Sequence, residues 1–224
     1  DFFFQGGSAE DYLDNILVRT LVERPVEKVL YSNDLESGKT LDKTTTVADP
    51  TDSTNNVAKY NAGWAQPNIK LSEPVSSGIV QVKFDYMANA TNSSFHVDLA
   101  ADRNTKNLLT FFRRTGTLIE GPGCGNYGNV ELGKWYTIDS VVNLDTKHYM
   151  SVVKDKATGK VLESVDTKLE SSSREFKDWP ETVNEFTDFF FQGGSAEDYL
   201  DNILVKTLLE EPELHKVTER ELYS

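Results

Sequence analysis

An eighteen-residue segment, DFFFQGGSAEDYLDNILV, occurs twice in this chain, at residues 1–18 and again at residues 188–205. The two copies match at every position. The similarity continues beyond them, with differences only at Arg19/Lys206, Val22/Leu209 and Arg24/Glu211. The copies begin 187 residues apart, which is far longer than a solenoid repeat and close to the size of a whole domain. The chain is therefore predicted to be a slice of a tandem array of domains.

The repeat divides the chain into four parts. Residues 1–20 are predicted to be the closing strand pair of a preceding repeat, or a donated strand pair, and residues 21–28 a linker around Pro25. Residues 29–210 form the complete domain. Residues 211–224 then form a linker and the start of a next repeat, because Leu222-Tyr223-Ser224 realigns with Leu30-Tyr31-Ser32.

Each copy is interpreted as two strands, a Phe-rich strand and a Tyr-Leu-Asp-Asn-Ile-Leu-Val strand. In the second copy, Gly193 and Gly194 between them are expected to supply the positive φ of a tight reversal, giving a hairpin. Asp201 lies inside the second strand, where Asp is depleted. It is either a strand-edge residue that caps a loop or a residue with a ligand.

The rest of the chain shows the period-two alternation of half-buried strands. Val80, Val82, Phe84 and Tyr86 face one way, as do Phe95, Val97 and Leu99 in a later strand, whose His96 and Asp98 face the other way. Thr115-Gly116 is typical of a hairpin turn, whereas residues 121–129 are glycine-rich and are predicted to be a loop. Roughly ten to thirteen short strands without an amphipathic helix predict an all-β fold, a two-sheet antiparallel β-sandwich or jelly roll.

Charge and composition narrow the possible partners. The formal net charge of −13 disfavours a nucleic-acid partner and suits an extracellular or cell-surface protein. No apolar run approaches membrane-spanning length, so no membrane insertion is expected. The single cysteine, Cys124, cannot form an intrachain disulfide.

Several segments resemble a known family in their order along the chain. Gly133-Lys134-Trp135-Tyr136 and the following 141–152 segment resemble a hairpin of concanavalin-like, or laminin-G-like, jelly rolls. The 31–38 opening and the 199–203 ending are similar to those of non-catalytic modules on bacterial polysaccharide-degrading enzymes, although Leu35 replaces the usual aromatic residue. The resemblance covers roughly residues 29–210. It implies polysaccharide binding and, often, a structural calcium ion where the first and last strands meet.

Candidate site residues follow from the resemblance and from the chemistry of sugars and calcium. Calcium takes carboxylate and carbonyl oxygens, which Asp34, Glu36 and Asp201 would supply if the first and last strands pair; solvated surface acids are the alternative. Sugars are held by aromatic faces and planar polar groups. The predicted sugar-binding residues are the aromatic Tyr60, Trp64, Tyr127 and Trp179 and, on a concave sheet, the polar His96, Asp98 and Arg113. Arg114 is the alternative to Arg113, because adjacent residues of a strand point to opposite faces and at most one of the two lines a given surface. For each aromatic residue a place in the core is the alternative, and Trp135 is assigned to the core.

No catalytic arrangement is recognised, because the three histidines form no triad or zinc spacing and no acidic pair is spaced two apart on a strand. The sequence thus favours a non-catalytic polysaccharide-binding module of a secreted or surface multidomain protein. A structural or adhesin repeat and, more weakly, a polysaccharide-cleaving enzyme are the alternatives.

The two copies also raise a question of occupancy, since two identical strand pairs compete for one place beside the opening strand. The leading copy could fill that place in this domain or in a neighbouring molecule, with the trailing copy serving the next domain. Alternatively, the repeats are independent domains on linkers.

Overall fold

The computed structural model describes residues 26–36, 38–60, 67–92, 94–100, 108–121, 125–168, 185–193 and 198–213. These residues form strands joined by turns and contain no helix that could cross a membrane. The strands are β1 (Val29–Asn33), β2 (Thr44–Ala48), β3 (Asn56–Tyr60), β4 (Asn68–Val75), β5 (Ile79–Met87), β6 (Ser94–Ala100), β7 (Leu108–Thr115), β8 (Leu118–Gly121), β9 (Gly125–Asn129), β10 (Trp135–Asn143), β11 (His148–Asp155), β12 (Val161–Lys168), β13 (Phe186–Gly193) and β14 (Tyr199–Leu208).

The strands form two antiparallel sheets, which confirms the predicted all-β sandwich. The eight-stranded sheet has the order β12-β11-β10-β5-β14-β3-β2, and β1 also pairs with β14. The six-stranded sheet has the order β4-β13-β6-β7-β8-β9. The opening strand β1 pairs with the closing strand β14, as the sequence predicts.

The core between the sheets is rich in aromatic rings. The predicted inward residues of β5 and β6 are buried there, and Phe84, Phe95 and Phe112 pack with ring centroids 5.7 to 6.2 Å apart. Tyr86 stacks on Phe95 at 4.6 Å, and Phe191 of the repeat lies 5.5 Å from Phe84. Such ring pairs stabilise beyond the apolar area that they bury.

The two strands of the repeat do not form the predicted hairpin. β13 lies between β4 and β6 in one sheet, and β14 pairs with β5, β3 and β1 in the other, so the repeat crosses from sheet to sheet. Gly193 belongs to β13 and lacks the predicted positive φ. Glycine is required at position 193 for a different reason, because a Cβ atom there would lie 2.3 Å from the ring of Tyr60.

A bulge interrupts the predicted alternation of β14. The register with β5 shifts between Asp201 and Leu204, and Asn202 has a φ of 50°. Leu200, Ile203 and Val205 therefore all reach the core, although strict alternation would separate Leu200 from the other two. This bulge and the hydrogen bonds of Asp201, which are described below, explain why an Asp is found inside this strand.

Two irregular segments were predicted with different success. Residues 39–56, predicted as a loop or weak edge strand, contain β2 at the edge of the larger sheet and the start of β3. The glycine-rich 121–129 segment was wrongly predicted as a loop, because its residues 125–129 form β9, which pairs with β8. The glycine content was the local signal for a loop. Pairing with the neighbouring strand β8, which local sequence does not reveal, makes this segment a strand instead.

Candidate functional site

The outer face of the six-stranded sheet carries a continuous row of polar side chains across five strands. Cross-strand register places Gln192 beside His96, His96 beside Arg113, Arg113 beside Glu120, and Glu120 beside Asn126. We call these five residues the polar ladder. With strands spaced about 4.8 Å apart, the ladder is about 19 Å long.

The ladder faces outward because its strand neighbours face the core. Phe191, Phe95 and Phe112 belong to the main core cluster, as does Ile119. Side chains alternate across a strand, so Gln192, His96, Arg113 and Glu120 lie on the opposite side. Arg113 and Glu120 keep 38% and 28% of their side chains exposed and form an ion pair of 3.3 Å.

Asp98 supports the ladder from a buried position next to it. Its carboxylate accepts hydrogen bonds from the Thr110 hydroxyl at 2.6 Å and from the Gln192 amide at 3.1 Å. Only 1% of the residue is exposed, so it orients Gln192 rather than forming the accessible surface. Burial raises the pKa of Asp98 to about 6, although the Thr110 hydrogen bond and the Arg113 charge act in the opposite direction.

His96 is neutral at physiological pH. Burial, together with the positive charge of Arg113, lowers its pKa to about 4. A neutral imidazole presents one donor and one acceptor nitrogen. The ladder therefore combines an amide, a neutral imidazole, a guanidinium and a carboxylate, which together can donate to and accept from hydroxyl groups.

The structure brings together three of the seven predicted sugar-binding residues. His96 and Asp98 lie on the same face of β6, as the alternation predicted, and Arg113 rather than Arg114 lies on that face of β7. Arg114, by contrast, is fully buried on the inward side, where it pairs with Asp198 at 2.7 Å. This agrees with the expectation that adjacent arginines point to opposite faces.

Tyr60 and Tyr127, the two predicted aromatic residues within the described part of the chain, do not join this face. Tyr60 is fully buried in the core, so its placement does not support a sugar contact. Tyr127 packs against the core from β9, and its hydroxyl lies 3.2 Å from Ser151 of the other sheet. For both, the core alternative is the one that the structure shows. Trp64 and Trp179 lie outside the described residues.

Sequence reasoning missed four polar residues of this face, namely Gln192, Glu120, Asn126 and Thr110. The signal for Gln192 was hidden by the Phe189-Phe190-Phe191 run, in which the alternation cannot be read. For Glu120 the signal was present, because it follows the inward Ile119.

A groove of about 700 Å³ surrounds Trp135 near the eight-stranded sheet. The indole N–H donates to Asp49 at 3.0 Å, and the Lys156 ammonium lies 4.8 Å from the ring centroid. Trp135 is only 8% exposed and packs in a small cluster with Met87 and Tyr199. It is buried as predicted, although not in the main core, and it offers little aromatic surface to a sugar.

The predicted calcium ligand Asp201 already has several hydrogen-bond donors around it. Its carboxylate accepts from the amides of Asn55 and Asn202, at 3.1 and 2.9 Å, and lies 3.3 Å from the Lys156 ammonium. Lys156 also pairs with Asp85 at 2.9 Å. A lysine thus supplies positive charge beside Asp201.

The other two predicted ligands lie on the neighbouring loop. The Glu36 carboxylate accepts from the backbone and side-chain amides of Asn56, and Asp34 accepts from the Glu36 backbone N–H at 3.2 Å. Within the described part of the chain, no group of three or more His, Cys, Asp and Glu is arranged to hold a metal ion. Each of the three carboxylates accepts hydrogen bonds from nitrogen donors, and calcium binding by these residues stays a prediction.

Comparison with known proteins gives the fold its name. No family model matches the chain, and no curated protein matches it in sequence. Among solved structures, a peanut lectin with a nine-residue peptide has a TM-score of 0.50 at 9% identity, covering 84% of this chain and 99% of the lectin. Lectin I from Ulex europaeus, in complex with the methyl glycoside of α-L-fucose, has a TM-score of 0.50 at 10% identity, covering 83% and 99%.

A sialidase is also similar, with a TM-score of 0.43 at 14% identity over 67% of this chain, but the match spans only 15% of the sialidase. The two lectins show that the chain has the concanavalin-like jelly-roll fold that the sequence resemblance implied.

Proposed function

We propose that this domain is a non-catalytic carbohydrate-binding module that holds a polysaccharide chain along the polar ladder. The module would belong to a secreted or cell-surface protein with tandem repeats. Its role would be to keep an attached enzyme or cell close to the polysaccharide.

The polar ladder is the observation that carries the proposal. Four of its members, Gln192, His96, Arg113 and Glu120, stand side by side in register on one outer face. Planar groups with directed donors and acceptors are what sugar hydroxyls require. The length of about 19 Å favours an oligosaccharide stretch over a single sugar.

The fold gives further support. Lectin I from Ulex europaeus, which shares it, was solved with a fucose glycoside. Shared fold alone does not assign function, so the assignment rests on the ladder and not on the likeness.

The exposure of each side chain indicates which residues of this face would contact the sugar and which would position the others. Arg113 and Glu120 retain exposed side-chain surface and would contact the sugar. Asp98 would act as a positioning residue, because its carboxylate fixes the Gln192 amide and the Thr110 hydroxyl. Leu118, which is 40% exposed on β8, adds apolar surface next to the ladder for C–H faces of the sugar.

Affinity electrophoresis through gels containing neutral or acidic polysaccharides tests the proposal. We expect at least one polysaccharide to retard the protein and Arg113→Ala to weaken binding about tenfold or more, since a charged hydrogen bond contributes roughly 1.5–3 kcal/mol. Lys83→Ala is the matched control, because it removes the same charge from the exposed outer face of β5. Equal loss in both variants, or no retardation by any polysaccharide, would count against the site.

A structural repeat of a surface protein is the second candidate function, and the identical eighteen-residue copies favour it. Tandem sandwiches of this kind would give length, with protein partners or none. Binding of a polysaccharide that depends on Arg113 separates the first function from the second.

A further inference from the structure

β13 and β14 are interior strands, one in each sheet. β13 is flanked by β4 and β6, and β14 by β5 on one side and by β1 and β3 on the other. Phe189, Phe191, Leu200, Ile203 and Val205 from these two strands all belong to the main core cluster. We call the place that residues 188–193 and 198–205 occupy the repeat slot.

We propose that the repeat slot is an interaction surface that also accepts residues 1–18, from the same chain or from a second copy of it. The domain then has two interchangeable sources for these two interior strands. Whichever copy is displaced becomes available to another domain.

Identity of sequence makes the contacts interchangeable. Phe4 and Ile16 correspond to Phe191 and Ile203, which are buried at 0% and 1% exposure. Asp11 corresponds to Asp198, the partner of the buried Arg114. Each side chain of the leading copy is identical to its counterpart in the trailing copy. Residues 1–18 could therefore make every contact that residues 188–205 make with the rest of the domain.

The connection to β1 also suits the leading copy. In the slot, Lys206 is the register partner of Val29, and the Thr207 backbone N–H donates to the Lys28 carbonyl at 2.9 Å. Arg19 takes the place of Lys206 in the leading copy, so residues 20–28 would close a local hairpin with β1. Short loops cost less closure entropy than long ones, and the leading copy is synthesised first.

The trailing copy has one advantage beyond the identical residues. Glu211 accepts a hydrogen bond from Asn143 at 2.7 Å and pairs with His148 at 2.7 Å. Arg24 stands at the equivalent position of the leading copy and cannot accept these bonds. The two copies are therefore close competitors, and this position biases the choice toward the trailing one.

Disulfide trapping in the full chain, with Cys124→Ser as background, tests the proposal. Leu204 is the register partner of Lys83, and Leu17 is its equivalent in the leading copy. We expect the pair Leu17→Cys with Lys83→Cys to form a disulfide under mild oxidation, as does the reference pair Leu204→Cys with Lys83→Cys. A monomer band on a non-reducing gel reports insertion within one chain, and a dimer band reports exchange between two chains.

A misplaced pair controls for random collision. Leu17→Cys with Lys154→Cys should stay reduced, because Lys154 lies on β11, away from β14 in the sheet. Cross-linking of this pair to the same extent, or no cross-linking of Leu17→Cys with Lys83→Cys while the reference pair forms, overturns the proposal. Adding Glu211→Arg should raise the fraction cross-linked through Leu17→Cys.

Disabling each copy in turn gives a second readout that does not depend on cysteines. We expect Phe191→Asp with Ile203→Asp to leave a cooperatively unfolding protein, with a midpoint lowered by less than about 8 °C. Adding Phe4→Asp with Ile16→Asp should abolish the transition. The proposal fails if the first variant is already unfolded, and it fails equally if the fourfold variant remains folded.

Discussion

Arg113 and Arg114 are neighbours in β7, yet they serve opposite sides of the six-stranded sheet. Arg114 is fully buried, pairs with Asp198 and donates hydrogen bonds to the Tyr86 hydroxyl and to the Ala90 carbonyl. Arg113 lies on the outer face in the polar ladder, with more than a third of its side chain exposed. One arginine is thus part of the folded core, and the other lies on the partly exposed outer face.

The comparison separates stability from function within two adjacent positions. A buried charge must keep its partners, because leaving one carboxylate unpaired in the interior costs far more than the pair contributes. An exposed ion pair contributes little to stability. Substitution of Arg114 should therefore affect folding, and substitution of Arg113 should affect binding.

Arg114→Ala has the largest expected effect. It leaves Asp198 buried without its cation, so the free energy of unfolding should fall by about 3–5 kcal/mol. Urea denaturation measures this, with Arg113→Ala as the matched control, expected to cost no more than about 1 kcal/mol. Similar losses in both variants would remove the distinction between the two faces.

Asp98→Asn tests the buried carboxylate that supports the ladder. The pKa of Asp98 in the folded state, about 6, lies above its ordinary value of 3.8. The protonated carboxyl therefore contributes to the stability of the fold below pH 3.8, and this contribution is lost as the pH rises through about 6. The difference between the two pKa values corresponds to about 3 kcal/mol in the free energy of unfolding.

In Asp98→Asn this dependence should disappear, and stability at neutral pH should equal or exceed that of the wild type. Urea denaturation between pH 3.5 and 8 gives the comparison. An unchanged slope in the variant would mean that Asp98 is not the titrating group.

Tyr127→Phe tests whether Tyr127 belongs to the interior or to the binding surface. Removing the hydroxyl that lies 3.2 Å from Ser151 should lower the free energy of unfolding by about 1 kcal/mol and leave polysaccharide binding unchanged. If binding is lost while stability is unchanged, Tyr127 contacts the ligand after all.

His148→Ala has the smallest expected effect, up to about 1 kcal/mol, because the site is partly exposed. Burial lowers the pKa of His148, but hydrogen bonds to Asp166 and Glu211 outweigh it and raise the pKa above 6.5. The contribution is present below pH 6.5 and is lost as pH rises through the folded-state pKa. Thermal unfolding at pH 5.5 and 8.5 should show a wild-type advantage only at the lower pH.

The sequence predicted the sandwich because alternation in β5 and β6 is regular, and it predicted that His96 and Asp98 share a face for the same reason. It left open whether Arg113 or Arg114 joins them, because the strand that carries both was not aligned with β6. It failed where alternation is hidden or broken. The Phe189-Phe190-Phe191 run concealed Gln192, and the bulge at Asn202 changed which side of β14 faces the core.

The predicted hairpin in the repeat was wrong for a different reason. Two strands separated by Gly-Gly satisfy a local rule for a turn, but the partners of β13 and β14 lie in different sheets, far away in sequence. The placement of Tyr60 and Tyr127 could not be predicted from local sequence either, because an aromatic ring suits a core and a sugar site equally well.

The central claim is that a polysaccharide lies along the polar ladder, and backbone amide NMR during titration with the bound oligosaccharide tests it most directly. The account predicts that the largest shift changes fall on β6, β7, β8 and β13, around His96, Arg113 and Glu120. Changes confined to the groove around Trp135, with the ladder unaffected, would contradict it.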